Sequence, residues 1–333
     1  MMKIFKYFAL FVFTFLWFLG CSKMATNFLY DNKIVEDDFR YGDLYRLANL
    51  PDFREKVKKC DDDFKGEKSD VALFLAGDSF TEKGRLQSDN FATEKFERGF
   101  VAESNEGFNL PSGKKILVIE TVERHFRERF QQPWRNWDVA SENAVLNQQT
   151  LKEKLLDIKV PYNTQMHESL LFGTDFMMKI REIKAQLNLW LFGKTDDKVK
   201  LHNGHLLYYL DVNPGISSCF DKIDDSEVDL MVNNANLTYE YYKGLGFDEV
   251  YLSIIPNKTS ILAQDLGEYN HLVERIEGNT NLKIPIISIF QDFRKKNLYL
   301  KGDSHWNCEG QKIWVDKVNE KLLNTQQSTS KSL

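Results

Sequence analysis

The chain has 333 residues, of which 42% are apolar and 28% charged, and its formal net charge is −5. These values are typical of a globular protein with one large domain or two, and they exclude a chain that is disordered throughout. Without an excess of positive charge, a nucleic acid is not expected as the main partner.

The N-terminus has the pattern of an export signal. Lys3 and Lys6 precede an apolar run over residues 7–20, which is shorter than the roughly 20 residues of a membrane-spanning helix. We therefore predict a signal peptide over residues 1–21, with an uncleaved membrane anchor as the alternative. Phe18-Leu19-Gly20-Cys21 resembles a bacterial lipobox, in which the cysteine is lipidated. Either interpretation predicts a bacterial protein that is tethered to a membrane outside the cytoplasm, in the periplasm or at the cell surface.

The chain has four cysteines. If Cys21 is lipidated, Cys60, Cys219 and Cys308 remain, and an odd number leaves at least one unpaired within the chain. A Cys60–Cys219 disulfide is compatible with an extracytoplasmic compartment, but the sequence does not decide the pairing. The polar and aromatic stretch over residues 22–69 is interpreted as a linker and an N-terminal extension.

The first candidate for chemistry follows a buried strand. The apolar run Val71 to Ala76 predicts a parallel strand, and Gly77-Asp78-Ser79 ends it. Open α/β sheets place their sites at such strand ends, where the hydroxyl and backbone N–H of Ser79 can face a ligand. The same three residues are also ordinary turn formers, so the motif needs a partner base before it indicates a nucleophile.

Polar residues also follow a second predicted strand, Lys114 to Glu120. Between the two strands, a helix is expected around Ser88 to Glu97, with Gly99 as its stop. Behind the second strand, Arg124 is interpreted as a group that binds an anion or oxyanion beside Ser79. The alternative is a surface ion pair at the start of a helix.

Residues 127–215 indicate a helical insertion that covers the active face as a lid or substrate wall. Helical periodicity marks Leu151 to Val160 and His167 to Leu191. Trp134 and Trp137 could stack on sugars or belong to the core. His202 and His205, with Asp211 nearby, suggest zinc, but no third ligand is evident and Gly204 weakens a helix there. No metal is therefore expected.

Strands and helices alternate again after the insertion. A helix over Asn234 to Leu245, a strand over Glu249 to Ile255, a helix over Leu266 to Glu277 and a strand over Ile284 to Phe290 are predicted. This alternation is typical of a doubly wound α/β sheet, which predicts a three-layer α/β/α sandwich. Residues 326–333 are expected to form a disordered tail.

The partner base is found near the C-terminus, in Asp303-Ser304-His305-Trp306. A serine hydroxyl needs a neutral histidine to take its proton, and a carboxylate to orient that histidine. Asn307 is expected to cap a last helix, Glu309 to about Leu323, that packs Trp314, Val318 and Leu322 against the sheet.

Together, Gly77-Asp78-Ser79 and Asp303-Ser304-His305-Trp306 resemble the first and last blocks of the SGNH/GDSL hydrolase superfamily. The resemblance covers a domain over residues 70–325 and is closest to the branch related to periplasmic alginate-type O-acetyltransferases. It implies a mostly parallel, flavodoxin-like sheet, with Ser79 as nucleophile, His305 as base and Asp303 as its orienter. The Ser79 N–H would be one oxyanion donor. Asp78, Arg124 and Trp306 are assigned to the oxyanion and substrate side.

Two departures from the superfamily pattern stand out. Its last block is commonly Asp-x-x-His, one residue longer than here, and its Gly-x-Asn-Asp block is missing. Arg124 is the suggested replacement for the missing asparagine, and Gly99 or Gly107 could supply the glycine donor.

The resemblance implies a serine esterase or O-acyltransferase that needs no cofactor. Its substrate would be an acyl group, above all O-acetyl, on a cell-surface or extracellular polysaccharide or on another acylated small molecule. The alternative is a non-catalytic glycan-binding or assembly protein that keeps the fold.

Overall fold

A computed structural model of the protein describes residues 2–21, 28–29, 32, 38–108, 110–139 and 174–330. The chain divides into two compact units. The first unit comprises residues 1–57 and 145–196, and the second unit comprises residues 58–144 and 197–333.

The second unit is an α/β fold around a four-stranded, all-parallel sheet. Its strands are β1 (Ala72–Gly77), β2 (Phe96–Phe100), β4 (Lys115–Val122) and β8 (Glu249–Ile255), in the spatial order β2-β1-β4-β8. Counted along the chain, this is the order 2-1-3-4 of a flavodoxin-like sheet. The predicted α/β class with a parallel sheet is confirmed.

Both faces of this sheet are covered by helices. Side chains alternate along β1, so successive residues point to opposite layers. Leu73 and Leu75 point to a layer formed by helix α10 (Cys308–Ser330). Phe74 and Ala76 point to the opposite layer, formed by helices α3 (Glu123–Arg129), α6 (Asp225–Gly244) and α8 (Leu272–Glu277). The fold therefore has three layers, and the carboxyl ends of the strands remain available for a site.

Smaller elements complete the second unit. The strands β3 (Asn105–Phe108) and β5 (Trp137–Val139) form a parallel pair, and β6 (Val199–His202) and β7 (His205–Tyr208) form a hairpin. The short helices are α5 (Tyr209–Val212), α7 (Lys258–Leu262) and α9 (Phe290–Lys295). The predicted insertion is therefore not helical throughout, since β5 and the β6–β7 hairpin fall inside its range.

Three predicted elements differ in the structure. The prediction of a helix around Ser88 to Glu97 is wrong. A single 3-10 turn covers Ser88–Asn90, and β2 follows. A Cβ on Gly99 would lie 2.6 Å from the Trp137 ring, so this glycine allows β2 to pack closely rather than stopping a helix. The strand over Ile284 to Phe290 is reduced to one bridge, between Leu252 and Ile286. The helix expected from Leu266 begins at Leu272.

The predicted last helix is present and longer than expected. The side chain of Asn307 accepts the N–H of Gly310 and caps α10, as predicted. The three apolar residues expected to face the sheet are all buried, namely Trp314, Val318 and Leu322. The helix continues to Ser330, so part of the expected disordered tail is helical.

The cysteine pairing also differs from the suggested one. Cys60 forms a disulfide with Cys308, at the first residue of α10. Cys219 is reduced and buried. The suggested Cys60–Cys219 disulfide is therefore wrong.

The first unit contains helices α1 (Met2–Cys21), α2 (Asp43–Ala48) and α4 (Asp175–Phe192). The buried Glu182 carboxylate of α4 accepts the Tyr45 hydroxyl at 2.8 Å, which ties α4 to α2. Within the described residues, no helix is long and apolar enough to cross a membrane. Helix α4 overlaps the helix predicted over His167 to Leu191 and ends one residue later. The helix predicted over Leu151 to Val160 falls outside the described residues.

Candidate active site

The serine motif forms a tight turn at the carboxyl end of β1. Ser79 begins a 3-10 turn, Ser79–Thr81, and its side chain is half-buried, whereas Asp78 and Phe80 are buried. A Cβ on Gly77 would lie 1.9 Å from the Thr81 hydroxyl oxygen, so only glycine fits at this position. The turn therefore presents one hydroxyl, that of Ser79, towards the surface.

The structure brings Ser79, His305 and Asp303 into a hydrogen-bonded chain. His305 Nε2 lies 2.9 Å from Ser79 Oγ, and His305 Nδ1 lies 2.5 Å from Asp303 Oδ1. A proton on Nδ1 donates to the carboxylate and leaves Nε2 free to accept the serine proton. This is the arrangement that activates a serine hydroxyl by general-base catalysis.

A buried lysine positions the loop that carries Asp303 and His305. The ammonium of Lys258, which follows β8, donates to the carbonyl oxygens of Leu300, Lys301 and Asp303 at 2.6, 2.9 and 3.1 Å. The loop is thereby attached to the carboxyl edge of the sheet, close to the serine turn.

An arginine lies against the same carboxylate–imidazole pair. Arg85 Nη2 lies 3.0 Å from His305 Nδ1 and 3.6 Å from Asp303 Oδ2. Since Nδ1 bears the proton in the tautomer described above, the favourable partner of Arg85 is the Asp303 carboxylate. The guanidinium thus stabilises the ionised carboxylate that orients the imidazole.

Trp306 is not where a substrate-binding residue is expected. Its ring is only 2% exposed and packs against Phe80 and Trp314, with ring centroids 5.0 and 5.9 Å apart. Phe80 also contacts the His305 ring, at 4.6 Å between centroids. Phe80 therefore supports the imidazole and is itself packed against Trp306. The predicted contact of Trp306 with substrate is corrected to a packing role.

Asp78 holds the backbone N–H that was expected to be an oxyanion donor. Its Oδ1 accepts the Ser79 N–H at 2.9 Å, and its Oδ2 lies 3.4 Å from Arg129 Nη1. Arg129 also donates to the Thr121 hydroxyl at the end of β4. The sequence predicts that the Ser79 N–H faces a ligand. In the structure this N–H donates to Asp78 instead.

A buried carboxyl group, Glu120, fixes the serine turn from within the sheet. Its Oε2 accepts the Asp78 N–H at 2.6 Å and the Thr81 hydroxyl at 2.9 Å. Burial, with the charge of Asp78 adding to it, raises the pKa of Glu120 to about 8. Glu120 is therefore protonated near neutral pH, which avoids a second negative charge beneath Asp78.

Arg124 belongs to a different group of side chains from Ser79. Its Nε lies 3.3 Å from the buried Asp211 carboxylate, and its guanidinium stacks over the Tyr208 ring. The expectation that Arg124 binds an oxyanion beside Ser79 is therefore corrected. Two other arginines contact the serine turn: Arg129 through Asp78, and Arg98 through the Thr81 carbonyl oxygen at 2.9 Å.

A second polar cluster lies beyond the ends of β4 and β8, and we call Glu123, Cys219, Asn257 and Ser260 the sealed cluster. Cys219 Sγ accepts hydrogen bonds from Ser260 Oγ at 3.0 Å and from Asn257 Nδ2 at 3.3 Å. Glu123 accepts the Asn257 N–H at 2.7 Å. Burial raises the pKa of Glu123 to about 8 and keeps that of the Cys219 thiol well above its usual range.

The residues weighed as zinc ligands point to separate partners. His202 and His205 flank the two-residue turn Asn203-Gly204 of the β6–β7 hairpin rather than sharing a helix face. His202 Nε2 lies 3.0 Å from Asp265, and His205 Nε2 lies 3.1 Å from the Asn297 amide. Asp211 pairs with Arg124. The three side chains do not form one ligand set.

A surface pocket of about 470 Å³ adjoins the serine turn through Asp78. It is open to solvent at the carboxyl ends of β1 and β2, and both polar and apolar side chains line it. Burial, with Arg124 and Arg129 adding to it, lowers the pKa of the lining His125, so its imidazole is neutral near neutral pH. The lining residues are Asp78, Phe100, Ala102, His125, Glu128, Arg129, Gln132, Pro133, Trp134 and Asn136.

Sequence reasoning missed four side chains that support the serine site, namely Arg85, Glu120, Arg129 and Lys258. Glu120 carried the only local signal, since a carboxyl group inside an otherwise apolar strand is rarely buried without a polar task. The other three are cations at ordinary surface spacing, which sequence alone does not distinguish from solvated residues.

The candidate oxyanion glycines are not near the serine hydroxyl by any described contact. Gly99 pairs with Ala76 inside the sheet and packs on Trp137, and Gly107 lies in β3.

No known family model matches the sequence, and no curated protein or solved structure is significantly similar to it.

Proposed function

We propose that the protein is a serine esterase or O-acyltransferase of the SGNH type that acts on acylated glycans. The observation that carries this proposal is the hydrogen-bonded chain from Ser79 through His305 to Asp303, with distances of 2.9 and 2.5 Å. A half-buried serine hydrogen-bonded to an imidazole, with a carboxylate behind it, is the arrangement used for acyl transfer on several unrelated folds.

The reaction would proceed through an acyl-serine. Ser79 Oγ attacks the ester carbonyl as its proton moves to His305 Nε2, and the tetrahedral intermediate collapses when the leaving alkoxide takes that proton. Water or a sugar hydroxyl then attacks the acyl-serine, giving its proton to His305, and Ser79 is released with its proton restored. Asp303 stabilises the imidazolium that forms twice in this cycle.

The pocket beside Asp78 supports a sugar-bearing substrate. Its volume of about 470 Å³ falls within the roughly 300–1,000 Å³ that is usual for small-molecule sites. Asp78 and Arg129 pair with each other, His125 is neutral, and Phe100 offers an exposed aromatic ring. Such a lining suits polyhydroxylated rings, whose faces pack on aromatics and whose hydroxyls bond to amides and imidazoles.

The proposed location is outside the cytoplasm, with the N-terminus as a membrane tether. The Cys60–Cys308 disulfide supports it, because disulfides persist mainly in oxidising compartments. No nucleic acid and no cofactor enter the proposed reaction.

One observation favours the alternative of a non-catalytic glycan-binding protein: the Ser79 N–H is bonded to Asp78 rather than free for an oxyanion. Catalysis would require this N–H to turn towards the substrate, or other donors to replace it.

A serine-directed fluorophosphonate separates the two functions. The wild type should be labelled on Ser79 and should hydrolyse an aryl acetate, whereas Ser79→Ala and His305→Ala should do neither. Ser88→Ala, at an exposed serine of the same unit, is the matched control and should behave as wild type. If the folded wild type neither reacts with the probe nor releases acetate, the enzyme proposal is overturned in favour of the binding protein. Faster acetate loss from the ester when sugar acceptors are added would distinguish transfer from hydrolysis.

A further inference from the structure

One face of helix α4 is apolar and exposed along its whole length. We call it the α4 stripe, and its side chains recur at intervals of three and four residues, which places them on one side of the helix. Phe176 is 72% exposed and Trp190 is 78% exposed, so the stripe is not marginal surface. Its members are Phe176, Ile180, Ile183, Leu187, Trp190 and Leu191.

The opposite face of α4 is the one that packs inside the first unit. Met178 and Glu182 are buried there. Glu182 accepts the Tyr45 hydroxyl and lies 3.4 Å from Arg54 Nη1, and Arg54 also pairs with Asp175 at 2.8 Å. The helix is thus attached through a face on which the apolar Met178 stands beside polar and charged side chains, and the α4 stripe lies on the other side of the helix. An ordinary surface helix buries its main apolar side, whereas α4 exposes it.

Charge distribution on α4 distinguishes the kind of surface that the stripe fits. Lys179 and Lys184 are exposed and flank the stripe on its two sides. Asp175 pairs with Arg54, and Glu182 pairs with both Arg54 and Lys179, whose Nζ lies 3.3 Å from Glu182 Oε2. The two acidic residues are thus balanced by Arg54 and Lys179, and Lys184 gives the rim of the stripe a net positive charge. Apolar residues bordered by lysines are the pattern of a helix that lies in the interfacial region of an anionic membrane.

Exposed apolar side chains are concentrated in the first unit. Helix α1, in the same unit, exposes large apolar residues as well, among them Phe5, Phe11 and Trp17. In the described part of the second unit, the exposed large apolar residues are scattered, namely Phe100, Leu201, Ile216 and Leu230. Scattered apolar residues are normal on a soluble surface, whereas a continuous row marks a contact.

We propose that α4 lies flat on an anionic lipid surface, with the α4 stripe among the acyl chains near the headgroups and Lys179 and Lys184 at the phosphates. The first unit would thus contact the membrane at a second place besides the N-terminal segment. The proposal does not depend on the acyl-transfer function of the second unit.

The test uses the full chain bound to lipid vesicles and reads the environment of the stripe rather than binding of the whole protein, because α1 can keep every variant on the vesicle. An environment-sensitive fluorophore is attached at Trp190→Cys. A second preparation carries it at Leu230→Cys, an exposed apolar position in the other unit, as the matched control. The vesicles contain phosphatidylcholine alone, or phosphatidylcholine with phosphatidylglycerol, and lipids brominated in their acyl chains serve as quenchers.

On phosphatidylglycerol vesicles, the Trp190→Cys label should shift to the blue and be quenched, and the Leu230→Cys label should remain in water. Lys184→Gln, which changes an exposed side chain, should reduce the equilibrium between inserted and free label by about fivefold. Unchanged thermal unfolding of this variant would show that the fold is intact.

Three results would overturn the proposal. In the first, the label at position 190 remains in water on both kinds of vesicle. In the second, it is already shielded without lipid, which would mean that another part of the chain covers the stripe. In the third, it is shielded only when membrane proteins are added, which would make the stripe a protein-docking surface.

Discussion

Two polar clusters lie at the carboxyl edge of the same parallel sheet, and both contain a potential nucleophile. In the first, Ser79 is half-buried and bonded to the imidazole of His305. In the sealed cluster, Cys219 is 1% exposed and bonded to Ser260 and Asn257. A thiol is the stronger nucleophile of the two only as a thiolate.

The difference between the clusters lies in the partners rather than in the nucleophile. Histidine and carboxylate stand in line behind Ser79, whereas the protonated-thiol form of Cys219 is favoured by burial and by the nearby Glu123 and Asp211. Residue type therefore does not identify a reactive site at this edge. Access to solvent and a base in hydrogen-bond contact do.

The largest expected effect comes from breaking the line behind Ser79. Asp303→Asn should reduce kcat for an aryl acetate by about 10⁴-fold, because the amide no longer favours the tautomer with the proton on Nδ1. Thermal unfolding, measured on the same preparation, checks that the protein is folded. Cys219→Ala, in the sealed cluster, should leave kcat unchanged. A loss of activity in that variant would mean that the two clusters are not functionally separate.

The second largest effect should come from the Cys60–Cys308 disulfide, which is attached to the helix that follows the His305 loop. Replacing the disulfide, by Cys60→Ser with Cys308→Ser, should lower the free energy of unfolding by about 2–5 kcal/mol. Cys308 begins α10, directly after the loop that carries His305, so kcat should also fall. Urea denaturation of the wild type and of the double variant, each with and without reductant, measures the loss. If the wild type keeps its midpoint when reduced, and the variant has that same midpoint, the disulfide does not stabilise the fold.

Two buried glutamates provide a matched pair for separating stability from activity. Glu120→Ala leaves the Asp78 N–H without its acceptor, at a cost of about 1–3 kcal/mol, and leaves the Thr81 hydroxyl only its contact with the Asp78 carbonyl oxygen at 3.4 Å. It should also reduce kcat by roughly tenfold to a hundredfold, since the serine turn is no longer fixed. Glu123→Ala should lower stability, because the Asn257 N–H loses its acceptor, but should not change kcat. Equal losses of activity in both variants would contradict the assignment of Glu120 as a positioning residue.

Per pH unit, the smallest effect is a pH dependence of stability that both glutamates should share. The pKa of each is raised to about 8 in the folded protein, so the stabilisation from the protonated form is complete below the unfolded value near 4.5 and is lost as the pH rises through about 8. Glu120→Gln and Glu123→Gln keep a neutral acceptor and should each remove up to about 1.4 kcal/mol per pH unit from this slope. Denaturation at several pH values between 5 and 8 measures it. Parallel slopes for wild type and variants would show that neither carboxyl is protonated in the fold.

The sequence predicts well whatever depends on local patterns. Unbroken apolar runs mark β1, β4 and β8, and the strand Glu249 to Ile255 is found with the predicted bounds. The edge strand β2 is not predicted, and the helix predicted over Ser88 to Glu97 overlaps its first two residues. The residues of β2 are mixed in polarity, and its partner, β1, lies about twenty residues earlier.

The serine site was predicted only as far as its motifs reach. Ser79, Asp303 and His305 stand in recognisable blocks, but Glu120 and Lys258 act across 42 and 45 residues of chain, on backbone groups that no motif marks. Arg124 was misassigned because position along the chain does not give the direction of a side chain. Arg124, near the start of α3, points to Asp211, whereas Arg129, at the end of the same helix, points to Asp78.

The disulfide between Cys60 and Cys308 spans 248 residues and makes a ring that contains Ser79, Asp303 and His305. A single backbone cut anywhere inside this ring leaves one covalent molecule rather than two fragments. Nucleophile and base then remain linked through the sulfur bridge even when the peptide chain between them is broken. On a gel, such a nicked protein would separate into two bands only after reduction, so proteolytic damage to the catalytic unit would pass unnoticed without a reducing agent.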